Sequence, residues 1–207
     1  MSRTNALGYR IAMIVAVVLA AGESSRMGRP KALLQVDGQT FIERIVSALQ
    51  ASRVGKVLVI LGHNADAIQA EIQHLPVTVV VNEDYARGQL SSLVTAIQAL
   101  QWEKVDGILV HLVDHPFLNP KLVDEMIELF YGSRKLIVVP RYEGRRGHPV
   151  LFSRELFPEL LNAPLDAGAK EVVHAHRSDT LEMETEDEGV IRDIDTPEEY
   201  HCYIGGR

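Results

Sequence analysis

The stretch VVLAAGESSRMGRPKALL gathers three cations, Arg26, Arg29 and Lys31, just after an apolar run. Gly22 and Gly28 lack a Cβ, so the backbone N–H groups of this loop can approach an anion closely. Arginine grips phosphate oxygens with two parallel hydrogen bonds, whereas the lysine ammonium acts as a mobile point charge. The glycine spacing matches neither G-x-G-x-x-G nor G-x-x-x-x-G-K-[ST]. The stretch therefore predicts a phosphate-binding loop of another kind, with a solvated basic turn as the alternative.

The segment NEDYARGQLSSL carries hydroxyl and amide groups where a second apolar run gives way to a helix. Asn82 ends the run, and Gly88, Ser91 and Ser92 lie at or near the start of the helix. A helix N-terminus presents unpaired N–H groups, to which serine hydroxyls add donors. These residues are predicted to bind part of the same anionic ligand, although the two serines are also typical helix caps.

Two distant segments, HLVDHPF and RDIDTPEEY, supply carboxylates. Asp114 closes an apolar run, where a carboxylate is costly to bury unless it is paired or holds a cation; a helix cap is the alternative role. Mg²⁺ prefers such oxygen ligands. Asp193 and Asp195 alternate along an extended segment, so only one can share a metal with Asp114. Asp195, directly before the Thr-Pro start of a helix, is the preferred partner, and Asp193 is the alternative.

The segment RYEGRRGHPVLF is a basic loop around two glycines. Arg145, Arg146 and His148 in this loop are expected to bind an anionic second substrate. The alternatives are an ordinary surface loop and a structural role for His148.

The composition of the chain of 207 residues argues against some partners and cellular compartments. A net charge of −7 argues against a nucleic-acid or anionic-membrane partner. The single cysteine, Cys202, fits a reducing compartment, so the protein is expected in the cytoplasm. We expect one domain over residues 1–207, with residues 1–12 as a flexible N-terminal extension.

Five short apolar runs, at 13–20, 56–62, 77–82, 107–113 and 135–140, are typical of strands buried on both faces. Four stretches with helical spacing, at 41–49, 67–72, 90–100 and 122–130, alternate with these runs. The alternation predicts βαβ units and an α/β fold with a mostly parallel, doubly wound sheet. In such sheets ligands bind beyond the carboxyl ends of the strands, where the polar segments above begin.

Taken in order, LAAGESSRMGRPKALL, GQLSSL, DHPFL, RRGHPVLF, GAKEVV and DIDTPEEY resemble the signature of the MobA-like nucleotidyltransferases. The resemblance runs from about residue 15 to residue 200 and is strongest to the molybdenum cofactor cytidylyltransferase branch. It implies a three-layer α/β/α, Rossmann-like nucleotidyltransferase fold. It also implies transfer of a nucleotidyl group from an NTP to a phosphate-bearing acceptor, with release of pyrophosphate and with Mg²⁺ as cofactor.

The resemblance also implies roles for particular residues. Nucleotide binding is expected at Leu19, Ala20, Ala21, Gly22, Arg26, Lys31, Asn82, Gly88, Ser91 and Ser92. Arg26, Lys31 and Asp114 would be catalytic, Asp114 and Asp195 would hold the metal, and the acceptor would bind at Arg145, Arg146 and His148.

Single-residue differences between the branches of this family indicate which substrates are preferred. Ala21 stands where the guanylyl-transferring branch has glycine, so CTP is favoured over GTP, with a molybdopterin-type acceptor and an apo molybdenum hydroxylase as the recipient of the product. His115 departs from the glutamine often found there. The alternatives are a guanylyl- or other NTP-dependent transferase acting on molybdopterin or on a sugar or polyol phosphate, a glycosyltransferase, and a non-catalytic protein that delivers the cofactor.

Overall fold

The computed structural model describes residues 13–166 and 168–204. The expected N-terminal extension, residues 1–12, lies outside this range. The first apolar run forms β1, Ile14–Ala20, and all seven of its residues are buried. Continuous burial is expected for a central strand of a sheet that is covered on both faces.

The other elements alternate along the chain. The strands are β2 Gln35–Val36, β3 Gln39–Thr40, β4 Lys56–Leu61, β5 Thr78–Val81, β6 Gly107–Leu112, β7 Ile137–Tyr142, β8 Arg145–Arg146, β9 Val150–Ser153 and β10 Thr180–Glu184. The helices are α1 Phe41–Gln50, α2 Ala65–Ile72, α3 Gln89–Ala99, α4 Pro120–Ser133, α5 Phe157–Asn162, α6 Lys170–Ala175 and α7 Pro197–Ile204.

Seven strands form the sheet in the order β10-β7-β9-β6-β1-β4-β5, with β8 paired to β7 as the eighth. β1 lies parallel to both β4 and β6, whereas β9 is antiparallel to both β6 and β7. The predicted mostly parallel sheet is confirmed. Val150–Ser153 was not predicted to be a strand, yet it enters the sheet between two predicted strands, β6 and β7.

Helices cover both faces of this sheet, which confirms the three-layer α/β fold. Alternate β1 side chains belong to two cores: Ile14, Ala16 and Val18 pack with apolar residues of α1, α2 and α4. Val15 and Val17 pack with those of α3, α5 and α6 on the opposite face. No helix among the described residues is long and apolar enough to span a bilayer.

A third, smaller core joins the loop after β1 to α7. Its buried members are Met27, Leu34, Val36, Phe41 and Ile194, and Phe117, Tyr200 and Tyr203 pack against them. The Tyr200 hydroxyl also donates a hydrogen bond of 2.7 Å to the Gln35 carbonyl. This core fixes the C-terminal segment beside the loop after β1.

The start of α4 decides one alternative. The Asn119 side chain caps the helix by accepting the Lys121 N–H at 3.0 Å, and Pro120 occupies the first turn. Asp114 therefore does not cap the following helix, and that alternative is wrong.

Candidate active site

A cleft of about 280 Å³ opens where β1 and β6 end. The loop after β1, the start of α3 and the segment after β6 form its walls. Its lining residues include Leu19, Ala20, Ala21, Gly22, Ser24, Ser25, Arg26, Pro30, Lys31, Tyr85, Gly88, Gln89, Ser92, Leu112, Val113, Asp114 and Asp195. Eight of the ten expected nucleotide-binding residues thus lie in the wall of one cleft.

The loop after β1 turns sharply to bring Lys31 back into the cleft. Ser24 and Gly28 adopt left-handed backbone conformations, with φ of 54° and 67°. The Ser24 hydroxyl accepts the Lys31 N–H at 3.1 Å, which fixes the base of the lysine. A Cβ at Gly22 would meet no atom within 4 Å, so the backbone there faces open space in the cleft. The loop geometry is compatible with close approach of an anion to the backbone.

Lys31 lies between the two predicted metal-binding carboxylates. Its Nζ is 3.3 Å from Asp114 Oδ2 and also donates to Asp195 Oδ1. The Arg26 guanidinium contacts Asp195 Oδ2. The Lys31 side chain is 11% exposed, against 66% for Arg26, so the lysine is the inner cation of the cleft.

Backbone contacts hold the two aspartates near each other. The Ile194 N–H donates to the Asp114 carbonyl at 2.9 Å. Glu199 Oε2 accepts the N–H groups of Asp195 and Thr196 at 2.8 and 2.9 Å, and the Thr196 hydroxyl accepts the Glu199 N–H at 3.2 Å. This capping box at the start of α7 fixes the backbone that carries Asp195.

Of the two alternative partners for Asp114, Asp195 is the one that shares the Lys31 ammonium, whereas Asp193 is exposed. Burial alone would raise the pKa of Asp195. Hydrogen bonds and charge from Lys31 and Arg26 outweigh burial, so the pKa is lowered and the carboxylate stays ionised near neutral pH.

Two buried histidines, His111 and His115, and the half-buried His148 surround the turn that carries Asp114. His111 Nε2 donates to the His115 carbonyl at 2.8 Å, which fixes the tautomer because a carbonyl only accepts. The His115 ring packs against His148, with ring centroids 5.1 Å apart. Burial is the main cause that lowers the pKa of His111 to about 3 and that of His148 to about 4, so both rings are neutral at physiological pH.

Asn82, Ser91 and Ser92 form a buried polar cluster at the start of α3. The Asn82 amide donates to the two serine hydroxyls at 2.8 and 3.0 Å, and its oxygen accepts the Asp84 N–H at 3.0 Å. Ser91 Oγ donates to the Gly88 carbonyl at 2.7 Å. Gly88 and Ser92 line the cleft, whereas Asn82 and Ser91 lie behind its wall and support the loop between β5 and α3.

A second pocket of about 390 Å³ adjoins the cleft and shares Leu19, Gln89 and Leu112 with it. Its walls are largely aliphatic, and Arg146, His148, Lys170 and His174 add polar groups. Arg146 Nε donates to Glu182 at 2.8 Å, so this predicted acceptor-binding residue has a carboxylate partner in the free protein.

Arg145 is exposed and makes no ion pair with any of residues 13–166 or 168–204. Sequence reasoning missed Tyr85, Gln89 and Lys170. Gln89 directly follows Gly88 in GQLSSL, and Lys170 lies in GAKEVV, so both stood within segments already recognised.

Comparison with known proteins gives a consistent result. The chain matches the family model of the MobA-like NTP transferase domain over residues 16–180. It is 31% identical to the nicotine blue oxidoreductase of Paenarthrobacter nicotinovorans, over 91% of this chain and 95% of that protein. It is 27% identical to the molybdenum cofactor cytidylyltransferase of Escherichia coli K12, over 89% and 92% of the two chains.

A solved structure, the manganese complex of Rv0371c from Mycobacterium tuberculosis H37Rv, has the same fold. The superposition gives a TM-score of 0.80 at 30% identity and covers 95% of this chain and 100% of that one.

Proposed function

Because this chain belongs to the MobA-like NTP transferase family, we propose that it transfers the CMP group of CTP to a phosphate-bearing acceptor and releases pyrophosphate. The proposed acceptor is a molybdopterin-type molybdenum cofactor, and the product would pass to an apo molybdenum hydroxylase. The observation that carries the proposal is the meeting of two cations, Arg26 and Lys31, with two carboxylates, Asp114 and Asp195, in one cleft.

The proposed reaction needs positioning and charge neutralisation more than covalent chemistry. An acceptor phosphate oxygen attacks the α-phosphorus of CTP in line, and pyrophosphate leaves from the opposite side. Lys31 would stabilise the charge that develops on the α-phosphate. Arg26 and the backbone N–H groups from Gly22 to Gly28 would hold the β- and γ-phosphates.

The donor set fits a hard divalent cation. Asp114 Oδ1 is buried and has no hydrogen-bond partner, and its other oxygen and Asp195 already share one cation, the Lys31 ammonium. Among residues 13–166 and 168–204, no group of three or more His, Cys, Asp or Glu side chains is arranged as a metal site. Two carboxylates plus substrate oxygens and water are the ligands that Mg²⁺ usually takes. When bound, the metal would act as Lewis acid and template for the phosphates.

The choice of CTP is supported by Ala21. The Cβ atoms of Ala21 and Tyr85 flank Gly62, at 2.9 and 2.6 Å from the point where a Cβ of residue 62 would stand. Ala21 lines the cleft, and its methyl group packs towards Gly62. Support for CTP comes from the resemblance of residues 19–22 to the cytidylyl-transferring branch and from the name of the E. coli relative, molybdenum cofactor cytidylyltransferase.

The second pocket is the proposed acceptor site. It adjoins the cleft, so a molecule bound there could present a phosphate to the α-phosphorus of a nucleotide in the cleft. Arg145, Arg146 and Lys170 would supply positive charge. The low pKa of His148, which burial causes, means that this ring would contribute as a neutral group and not as a cation.

Thermal-shift measurements test the nucleotide part of the proposal. The melting temperature is measured with CTP, GTP, ATP or UTP, each with Mg²⁺, because a ligand that binds only the folded state raises stability. CTP should give the largest increase. Pyrophosphate release with CTP and a molybdopterin-type acceptor then tests catalysis, and the absence of both effects would refute the proposed function. A delivery protein would bind without releasing pyrophosphate.

A second candidate is an oxidoreductase activity, favoured by the 31% identity to nicotine blue oxidoreductase over almost the whole chain. Four charged groups in the first cleft favour nucleotidyl transfer over this alternative. Turnover of nicotine blue by the purified protein with an added electron donor or acceptor, in the absence of pyrophosphate release with any NTP, would instead support the oxidoreductase.

A further inference from the structure

Lys31 occupies the position between Asp114 and Asp195 that a divalent cation would need. We propose that Lys31 is the built-in counter-ion of this carboxylate pair and competes with the metal for it. Bare metal then binds weakly, and the nucleotide triphosphate completes the metal site by drawing Lys31 away. This inference rests on the proposed function, since it assumes that a metal and a triphosphate share the cleft.

The burial of the pair is the first argument. The side chains of Lys31, Asp114 and Asp195 are 11%, 25% and 21% exposed. Two carboxylates with so little water around them repel each other unless a cation lies between them. In the free protein the Lys31 ammonium supplies that charge, so an arriving metal must displace it before gaining both carboxylates.

The incomplete pairing of Asp114 is the second argument. Its Oδ1 is buried without a hydrogen-bond partner, and His115 Nε2 lies 3.9 Å from it, beyond hydrogen-bond distance. One ammonium thus leaves one oxygen of the pair unsatisfied. A divalent cation could satisfy it, which indicates that the lysine is a substitute for the metal.

The freedom of Lys31 to move is the third argument. Its backbone is held by Ser24, but the long side chain can pivot about that anchor. The lysine lies in the wall of the cleft where the triphosphate is proposed to bind. Once a metal takes the carboxylates, phosphate oxygens are the anions left for the ammonium. By linkage, the nucleotide tightens metal binding by the same factor as the metal tightens nucleotide binding.

The experiment is a direct titration of the full chain with Mn²⁺ in the absence of nucleotide, with free Mn²⁺ followed by electron paramagnetic resonance. Lys31→Met keeps the length of the side chain and removes its charge. We expect this variant to bind Mn²⁺ about tenfold more tightly than the wild type, a typical coupling between two sites. The same variant should bind CTP with Mg²⁺ more weakly, so the two affinities change in opposite directions.

Arg29→Met is the matched control. Arg29 belongs to the same loop but lies over the Tyr200 ring, 5.4 Å from its centroid, and no contact joins it to either carboxylate. Its removal should leave the Mn²⁺ dissociation constant unchanged. Lys31→Arg keeps the charge and should retain weak binding, and Asp114→Asn should abolish Mn²⁺ binding at this site.

Equal or weaker Mn²⁺ binding by a folded Lys31→Met variant would overturn the counter-ion role, as would equal tightening by Arg29→Met. If Lys31→Met does not fold, Lys31→Gln takes its place, and the same outcomes apply. The titration contains no nucleotide, so its failure is distinct from failure of the proposed function, which the NTP thermal shifts and pyrophosphate release decide.

Discussion

The Lys31 ammonium contacts two carboxylates in the free protein, but nucleotidyl transfer would require it to contact phosphate oxygens. Its burial and its anchored backbone distinguish it from Arg26, which is largely exposed. At the scale of single residues, the two cations that line the cleft are therefore not equivalent. In the proposed reaction, Lys31 would contact the reacting phosphate and Arg26 the outer phosphates.

Lys31→Ala should lower kcat by about a hundredfold or more, the range typical for loss of one electrostatic donor to a transition state. Steady-state kinetics with CTP and acceptor measure this effect. Arg29→Ala is the control and should change kcat little, because Arg29 lies over Tyr200 and away from the carboxylates. An unchanged kcat in Lys31→Ala would remove the assignment.

Asp114→Asn should abolish Mg²⁺-dependent turnover and leave the fold intact, because the amide keeps the shape of the carboxylate but binds the cation poorly. Activity is measured over a range of Mg²⁺ concentrations, and circular dichroism checks the fold. Asp193→Asn, at an exposed residue, is the matched control and should retain activity. Full activity of Asp114→Asn at ordinary Mg²⁺ would contradict its role as a ligand.

At the scale of elements, β6 ends in a turn that one buried side chain supports. His111 lies next to Val18 of β1 and donates to the carbonyl of His115, directly after Asp114. This hydrogen bond from a neutral ring, together with the bond of 3.2 Å from the His115 N–H to the Leu112 carbonyl, links β6 to the turn that carries Asp114.

His111→Leu should lower the free energy of unfolding by about 1–3 kcal/mol, because the buried His115 carbonyl loses its donor. Urea denaturation measures the change. His111→Gln retains an N–H donor at a similar reach and should recover part of the loss. Equal destabilisation by both substitutions would indicate that packing, and not the hydrogen bond, accounts for it.

The β7–β8 hairpin presents the predicted acceptor-binding arginines at the edge of the second pocket. Arg146 is paired with Glu182, whereas Arg145 is exposed. Arg145→Glu and Arg146→Glu should each raise the KM for the acceptor far more than the KM for CTP. Arg134→Glu, an equal change of charge after α4, should alter neither constant. Similar increases in both KM values for the hairpin variants would argue against an acceptor site there.

The sequence predicted most elements because the spacing of apolar residues, and the burial that it implies, is visible within short stretches of the chain. All five apolar runs became strands, and the four helical stripes became α1 to α4. β9 was missed because it has four residues, and its place between β6 and β7 depends on pairing across the sheet. The order of the strands along the chain does not determine which strands lie next to each other in the sheet.

At the scale of the whole molecule, the site depends on residues from both ends of the described chain. Because ligands bind beyond the carboxyl ends of strands in such sheets, the sequence predicted that Arg26, Lys31 and Asp114 would meet at one edge of the sheet. The contact of Lys31 with both aspartates could not be predicted, because it depends on side-chain conformations. The position of Asn82 behind the cleft wall could not be predicted either. Residue spacing does not distinguish a side chain that lines a cleft from one that supports the lining residues.

Because of His111 and His148, the free energy of unfolding should depend on pH in the acid range. The folded state holds the pKa of His111 at about 3 and that of His148 at about 4, both lowered from 6.5 mainly by burial. Below the unfolded-state pKa, the unfolded chain binds protons that the folded chain does not. The free energy of unfolding should therefore fall as pH drops from about 6.5, by up to about 1.4 kcal/mol per pH unit for each histidine.

Urea denaturation between about pH 6.5 and pH 4.5 measures this slope while most carboxylates remain ionised. His111→Gln removes one titrating ring and should flatten the dependence. A slope identical to that of the wild type would show that His111 does not contribute to it.

Asp195, whose backbone is held by the capping box of α7, lies 164 positions beyond Lys31 in the chain. During synthesis, the loop after β1 and strand β6 would leave the ribosome long before Asp195, the second carboxylate of the cleft. A nascent chain arrested before α7 would carry the phosphate-binding loop without its Asp195 contact. Translation must therefore reach the last helix before the cleft gains its second acidic wall, so incomplete products should be catalytically silent.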